Sequence, residues 1–106
     1  MVRRQVQVEE TVAHHAADFI AREIALNALI TVTHADMSPN YKEATIYFSV
    51  LPATMEKDAL KFAKRARSDF RDYLRTHTKL HPIPTVDFEI DLGEKNRQRV
   101  DELTRK

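Results

Sequence analysis

Residues 44–50 set the first constraint on the fold. Ala44, Ile46, Phe48 and Val50 alternate with Thr45, Tyr47 and Ser49. That two-residue period belongs to a strand with one buried face and one wetter face. Such a strand requires a sheet, and its apolar side requires a covering layer. Upstream, Leu29 to Met37 is rich in β-branched residues (Ile30, Thr31, Val32, Thr33) and reads as a second strand. Ser38-Pro39-Asn40 supplies the turn between the two, with proline fixing φ at the first corner position.

The cover is helical. From Val8 to Ile24, apolar residues Val8, Val12, Ala16, Phe19, Ile20 and Ile24 recur at three- and four-residue intervals, the stripe of an amphipathic helix. Pro52 closes the central strand, and Thr54 is placed to cap a long helix from Met55 to about Arg75. Glu56 and Asp58 fall in its positive first turn. His81-Pro82-Ile83-Pro84 ends helical geometry. Val86, Phe88 and Ile90 then alternate with Asp87, Glu89 and Asp91, a third strand with an acidic outer face. Gly93 precedes a short C-terminal helix with Val100 and Leu103 as its apolar positions. The order is α-β-β-α-β-α, with the middle helix long enough to break in two. An α+β fold follows, a three-stranded sheet with helices packed on one face.

With 106 residues and no repeat, low-complexity tract or linker, one domain over 1–106 is expected. The chain has no cysteine, which excludes disulfides, thiolate metal sites and cysteine nucleophiles and fits a reducing cytoplasm. No apolar run follows Arg3-Arg4 and none approaches the ~20 residues of a membrane helix, so neither a signal peptide nor a membrane span is expected.

The net charge of +1 conceals separate blocks. Residues 57–81 hold eight basic and three acidic side chains, whereas residues 82–94 hold four acidic and no basic ones. Such segregation makes a positive patch, the footprint of a polyanion partner. On a wheel of roughly 100° per residue, Met55, Ala59, Phe62, Ala63, Ala66, Phe70, Tyr73 and Leu74 gather on one side. Lys57, Lys61, Lys64, Arg71 and Arg75 gather opposite, flanked by Arg65 and Arg67, with Ser68 in the middle of the arc and Lys79 just beyond. A small hydroxyl residue among cations leaves space for a phosphate to approach the backbone. This face, stiffened by its buried side, is the candidate RNA-binding surface. Arg3 and Arg4 are weaker candidates. Acidic side chains at helical spacing are few: Asp72 reaches Lys64 or Arg75 only across the side of the arc, and Asp69 lies off it; a face that is merely solvated usually interleaves its signs. Reversal of Lys64 and Arg71 to Glu is therefore expected to abolish binding and leave the fold intact. Phe48, Phe62, Phe70 and Phe88 read as core, and Tyr47 as cover on the outer side of its strand.

Other chemistries find little support. His14 and His15 are adjacent and diverge on a helix, His77 and His81 lie where a helix ends, and His34 stands alone in a strand. Zinc needs three or four converging ligands, and none is expected here. Ser38, Ser49 and Ser68 have no His and Asp in a recognisable order, and one glycine in the whole chain excludes the glycine-rich loops that hold nucleotides. No enzyme activity and no cofactor are expected.

Three segments together are similar to the ribosome-binding factor A family. They are Ile30-Thr31-Val32-Thr33 through Met37-Ser38-Pro39-Asn40 with Ala44–Val50, the long helix with its break at Ala66-Arg67-Ser68 before Phe70-Arg71 and Leu74, and Pro84 with Val86–Asp91 followed by Arg99-Val100-Asp101-Glu102-Leu103. The resemblance implies a type-II KH domain of order α-β-β-α-kink-α-β. In KH domains a GxxG loop between two helices clamps the nucleic-acid backbone. The family resembled here has a kinked Ala-x-Gly instead, and this chain carries Ser68 where that glycine is expected, which predicts a shallower kink. The function implied is binding of the immature small (30S) ribosomal subunit and its 16S rRNA, with support for rRNA processing and subunit maturation, by a cytoplasmic bacterial monomer. The resemblance leaves room for an assembly GTPase as a second partner. The rival readings are a KH-like module for another structured RNA and a protein–protein adaptor.

Overall fold

A computed structural model describes residues 2–24 and 27–93. The elements are α1 (Val2–Glu23), β1 (Leu29–Met37), β2 (Glu43–Leu51), a 3-10 turn (Ala53–Met55), α2 (Glu56–Arg65), α3 (Arg67–His77) and β3 (Thr85–Ile90). The order α-β-β-α-α-β agrees with the sequence reading, while the expected C-terminal helix around Val100 and Leu103 lies outside the described residues. The sheet runs β1-β2-β3, with β2 central, antiparallel to β1 and parallel to β3. Among the described residues, no helix is long and apolar enough to cross a membrane.

Ala44, Ile46, Phe48 and Val50 are all buried, as their alternation requires. β1 keeps pace with them through a bulge. Its register with β2 shifts between Val32 and His34, so the inward positions pass from Ile30 and Val32 to Ala35 and Met37. An extra residue reverses the parity of every side chain after it. That residue is Thr33, whose hydroxyl donates to the Asp91 carboxylate at 2.6 Å and lies 3.2 Å from the Tyr47 carbonyl oxygen. On the outer face the Tyr47 ring stacks on His34, 4.6 Å between centroids and 12° from parallel, and covers the sheet as expected.

α1 starts six residues before the apolar stripe announces it, because residues 3–7 are mostly polar and gain their hold from tertiary contacts. Gln5 Nε2 donates to the Met37 carbonyl at 2.8 Å, and the Met37 N–H donates to Glu9 Oε2 at 2.7 Å. Both outward-facing backbone groups of an edge-strand residue are thereby satisfied. Val12, Ala16, Phe19 and Ile20 bury the helix against the sheet and α3.

Two local expectations are corrected. Thr54 does not cap α2: the Met55 N–H bonds to the Pro52 carbonyl at 3.0 Å, which places Thr54 inside the 3-10 turn, and α2 begins at Glu56 without a side-chain cap. Phe62 is not core but 46% exposed. A single wheel treats residues 55–75 as one rod, whereas the rod breaks at Ala66 (φ −89°, ψ 6°). The stripe of α2 that packs is then the narrow pair Ala59 and Ala63, and Phe62 sits on its flank.

α3 closes the core through Phe70, fully buried, with ring centroids 5.2 Å from Phe19 and 5.7 Å from Phe88. Behind it, His15 joins α1 to α3 edge-on to Tyr73 at 6.0 Å, and its Nδ1 is buried without a hydrogen-bond partner among the described residues. Burial holds its pKa below the ordinary imidazole value, helped by His14 and His77 and opposed by Asp18. In acid the unfolded chain then takes up a proton that the folded chain resists, so stability is full above the ordinary imidazole range and falls as pH drops through it. Denaturant midpoints at pH 7.5 and 5.5 are expected to differ less in His15→Leu than in the parent.

Candidate nucleic-acid interface

The break at Ala66 divides the basic arc into two rows. Lys57, Lys61 and Arg65 follow one another at four-residue intervals along α2, all exposed, and have no ion pair among the described residues. From first to last they span roughly 12 Å at the helical rise. They form a free outer row.

The second row is engaged inside the molecule. Lys64 Nζ lies 2.9 Å from Asp87 Oδ1 and 2.9 Å from Glu89 Oε1 on the edge strand β3. Arg67 adds a contact of 3.3 Å to Asp87 and donates from Nε to the Lys64 carbonyl at 2.9 Å. Half-buried Arg71 donates to the carbonyls of Pro84 (3.3 Å) and Ile83 (3.2 Å), tying α3 to the segment that leads into β3. Arg75 pairs with Asp72 one turn back at 2.9 Å. From the sequence Asp72 was within reach of Arg75 across the side of the arc, and the pair forms.

The electrostatics follow from these contacts. Hydrogen bonding to Asp87 raises the Lys64 pKa, with Glu89 adding to it against a burial cost. For Asp87, burial alone raises the pKa, but the Lys64 ammonium, the Phe88 N–H and the Arg67 charge together outweigh it and hold the carboxyl below its ordinary value. Lys64 thus contributes stability that is fully present below the ordinary lysine pKa and lost as pH rises through its raised value. Asp87 contributes stability present above the ordinary carboxylate pKa and lost as pH falls through its lowered value. Between those limits the pair is insensitive to pH.

These pairs correct the expected outcome of charge reversal. Lys64→Glu places a third carboxylate beside Asp87 and Glu89, and Arg71→Glu faces two backbone carbonyls, so neither change leaves the fold untouched. With about a third of the Lys64 side chain in water, screening moderates the effect. Lys64→Glu is expected to lower Tm by roughly 5 °C or more, whereas Lys64→Met, which keeps the aliphatic stem, costs less. Thermal melting followed by circular dichroism checks both.

Ser68 is exposed in the first turn of α3, and the bend itself falls on Ala66. Among the described residues, positive φ occurs at Tyr41 and not at Ser68. Serine is therefore accommodated without glycine's conformational freedom. Lys79 stands apart from both rows, in the wall of a cavity shared with Arg4 and His81. Asp87 and Glu89, which divide the arc, were visible as an acidic block; their pairing with Lys64 spans more than twenty residues and has no local signature.

The family model of ribosome-binding factor A matches residues 4–104. The chain belongs to the ribosome-binding factor A family. A ribosome-binding factor A of Nitrobacter winogradskyi is 30% identical over 107 aligned positions, covering 96% of this chain and 78% of the relative. That of Coxiella burnetii (strain Dugway 5J108-111) is 26% identical over 102, covering 94% of this chain and 86% of the relative. In three dimensions the chain resembles the crystal structure of ribosome-binding factor A from Thermus thermophilus, with a TM-score of 0.69 at 19% identity over 81% of this chain and 94% of the other. The mixed three-stranded sheet with helices on one face is thus the KH-like fold of ribosome-binding factor A, in the order expected from the sequence.

Proposed function

We propose that the chain is a ribosome-binding factor of the bacterial cytoplasm, which binds the immature small (30S) subunit through its 16S rRNA and assists rRNA processing and subunit maturation without a chemical step of its own. One observation carries the RNA contact: Lys57, Lys61 and Arg65 stand in a straight exposed row with no carboxylate paired to them among the described residues. A rigid row of cations neutralises successive phosphates and releases their counterions, which supplies affinity and a steep dependence on salt. Membership of the ribosome-binding factor A family directs that affinity to the ribosome. Lys64 and Arg67 border the row with their charges balanced by Asp87 and Glu89, the small Ser68 leaves space beside it, and Arg71, Arg75 and Lys79 are secondary contacts. The protein works as a monomer, and an assembly GTPase is a candidate second partner.

The test is competition. Purified small subunits are expected to displace the labelled protein from an unrelated structured RNA of equal length at far lower concentration than the reverse. Equal competition would favour a general RNA-binding module. A complex that survives nuclease digestion would favour a protein–protein adaptor.

A further inference from the structure

The strongest unassigned feature is the cavity of about 300 Å³ between the start of α1, the β1–β2 turn and the segment after α3. Its size is at the lower end of small-ligand sites. Arg4, Lys79 and His81 contribute to its wall beside Tyr41 and the apolar Met37 and Leu80, and among the described residues no carboxylate lines it. Arg4 and Lys79 make no ion pair among the described residues, so both charges are available to a ligand.

Tyr41 is held here at a cost. Its φ of 61° is left-handed, a region that a bulky non-glycine side chain enters only when its surroundings impose it. The hydrogen bonds of the turn impose it. The Tyr41 N–H donates to the Ser38 carbonyl at 2.9 Å, Asn40 Oδ1 accepts from the Ser38 hydroxyl (2.6 Å) and the Lys42 N–H (3.0 Å), and Ser38 Oγ accepts from the Glu43 N–H (3.0 Å). The turn thus presents an aromatic ring where glycine would be the least strained choice. The Arg4 guanidinium lies over that ring, 5.7 Å from its centroid.

We propose that this cavity holds one unpaired nucleotide of single-stranded RNA, its base against Tyr41 and Arg4 and its phosphate on Lys79 and His81. Aromatic rings and guanidinium planes both stack on bases of any identity. An ammonium and an imidazole N–H supply the donors a phosphate takes up. The absence of a lining carboxylate among the described residues favours an anion over a cation, and the Tyr41 ring beside Met37 and Leu80 favours an anion that carries a ring. This inference rests on the RNA-binding reading above and adds a second contact, separate from the outer row, that selects single strands over duplex.

The full-length chain is titrated with hexauridylate and, separately, with inorganic phosphate while backbone amide resonances are followed. Hexauridylate is expected to shift the resonances of Arg4, Tyr41, Lys79 and His81. Tyr41→Gly, which removes the ring and relaxes the backbone, is expected to weaken that binding about tenfold. Tyr41→Phe retains it, and a cooperative melting transition in each, at or above that of the parent for Tyr41→Gly, shows that both variants fold. Shifts confined to residues 57–65 overturn the cavity proposal and leave the outer row standing. Shifts at the cavity alone support it and count against the outer row. No shift at either place overturns both. Equal shifts with inorganic phosphate, unaffected by Tyr41→Gly, reduce the cavity to a simple anion site and overturn the nucleotide.

Discussion

Replacing Lys57, Lys61 and Arg65 together by alanine is expected to weaken binding to small subunits about 100-fold at low salt and to leave the fold intact. The three side chains are exposed and have no ion pair among the described residues, so their removal breaks no internal contact. Alanine is the strongest helix former, and α2 keeps its apolar seat at Ala59 and Ala63. Each lost phosphate contact removes close to one unit from the slope of log K against log salt, so the slope should fall by about three. Binding measured between 50 and 200 mM salt, beside a melting curve, separates this outcome from unfolding. A matching triple change of Lys64, Arg67 and Arg71 should behave differently, with the melting curve moving first, because those side chains hold β3 and the segment before it.

Phe70→Ala is expected to cost about 3–5 kcal/mol, a large share of the 5–15 kcal/mol that a small domain possesses. Phe70 is fully buried and touches Phe19 of α1, Tyr73 of its own helix and Phe88 of β3. Its loss opens a cavity where the helical layer meets the sheet. Phe62→Ala, one of the same four phenylalanines by sequence pattern, removes a ring that is nearly half in water and should cost under about 1 kcal/mol. Urea denaturation of the two variants side by side checks the contrast.

That contrast shows which features a sequence can carry. β2 was legible because a two-residue period reports directly on which face is buried, β1 because its β-branched residues favour extended backbone, and the Ser38-Pro39-Asn40 turn because proline and asparagine have their own backbone chemistry. The bulge at Thr33 was not, since one residue out of step looks like noise in a nine-residue strand. The first turns of α1 were hidden for a related reason: Gln5 and Glu9 hold them through Met37, some thirty residues away. A break among small residues was anticipated, but a single wheel drawn through it misplaced Phe62.

The candidate site was legible as a cluster and illegible in its division. Local spacing brings Lys57, Lys61, Lys64, Arg65, Arg67 and Arg71 to one arc. Which of them is free depends on Asp87, Glu89 and the carbonyls of Ile83 and Pro84, and these arrive through the crossover that lays β3 parallel to β2. Tyr41 was hidden similarly, because a positive φ at an aromatic residue has no sequence mark beyond the turn that precedes it.

Ultraviolet cross-linking of the protein to immature small subunits, followed by mass spectrometry of the attached peptides, tests the RNA contact most directly. Nucleotide adducts should fall on the segment 57–65 and map to 16S rRNA. Adducts confined to the outer face of the sheet around His34 and Tyr47, with segment 57–65 unmodified, would contradict the account.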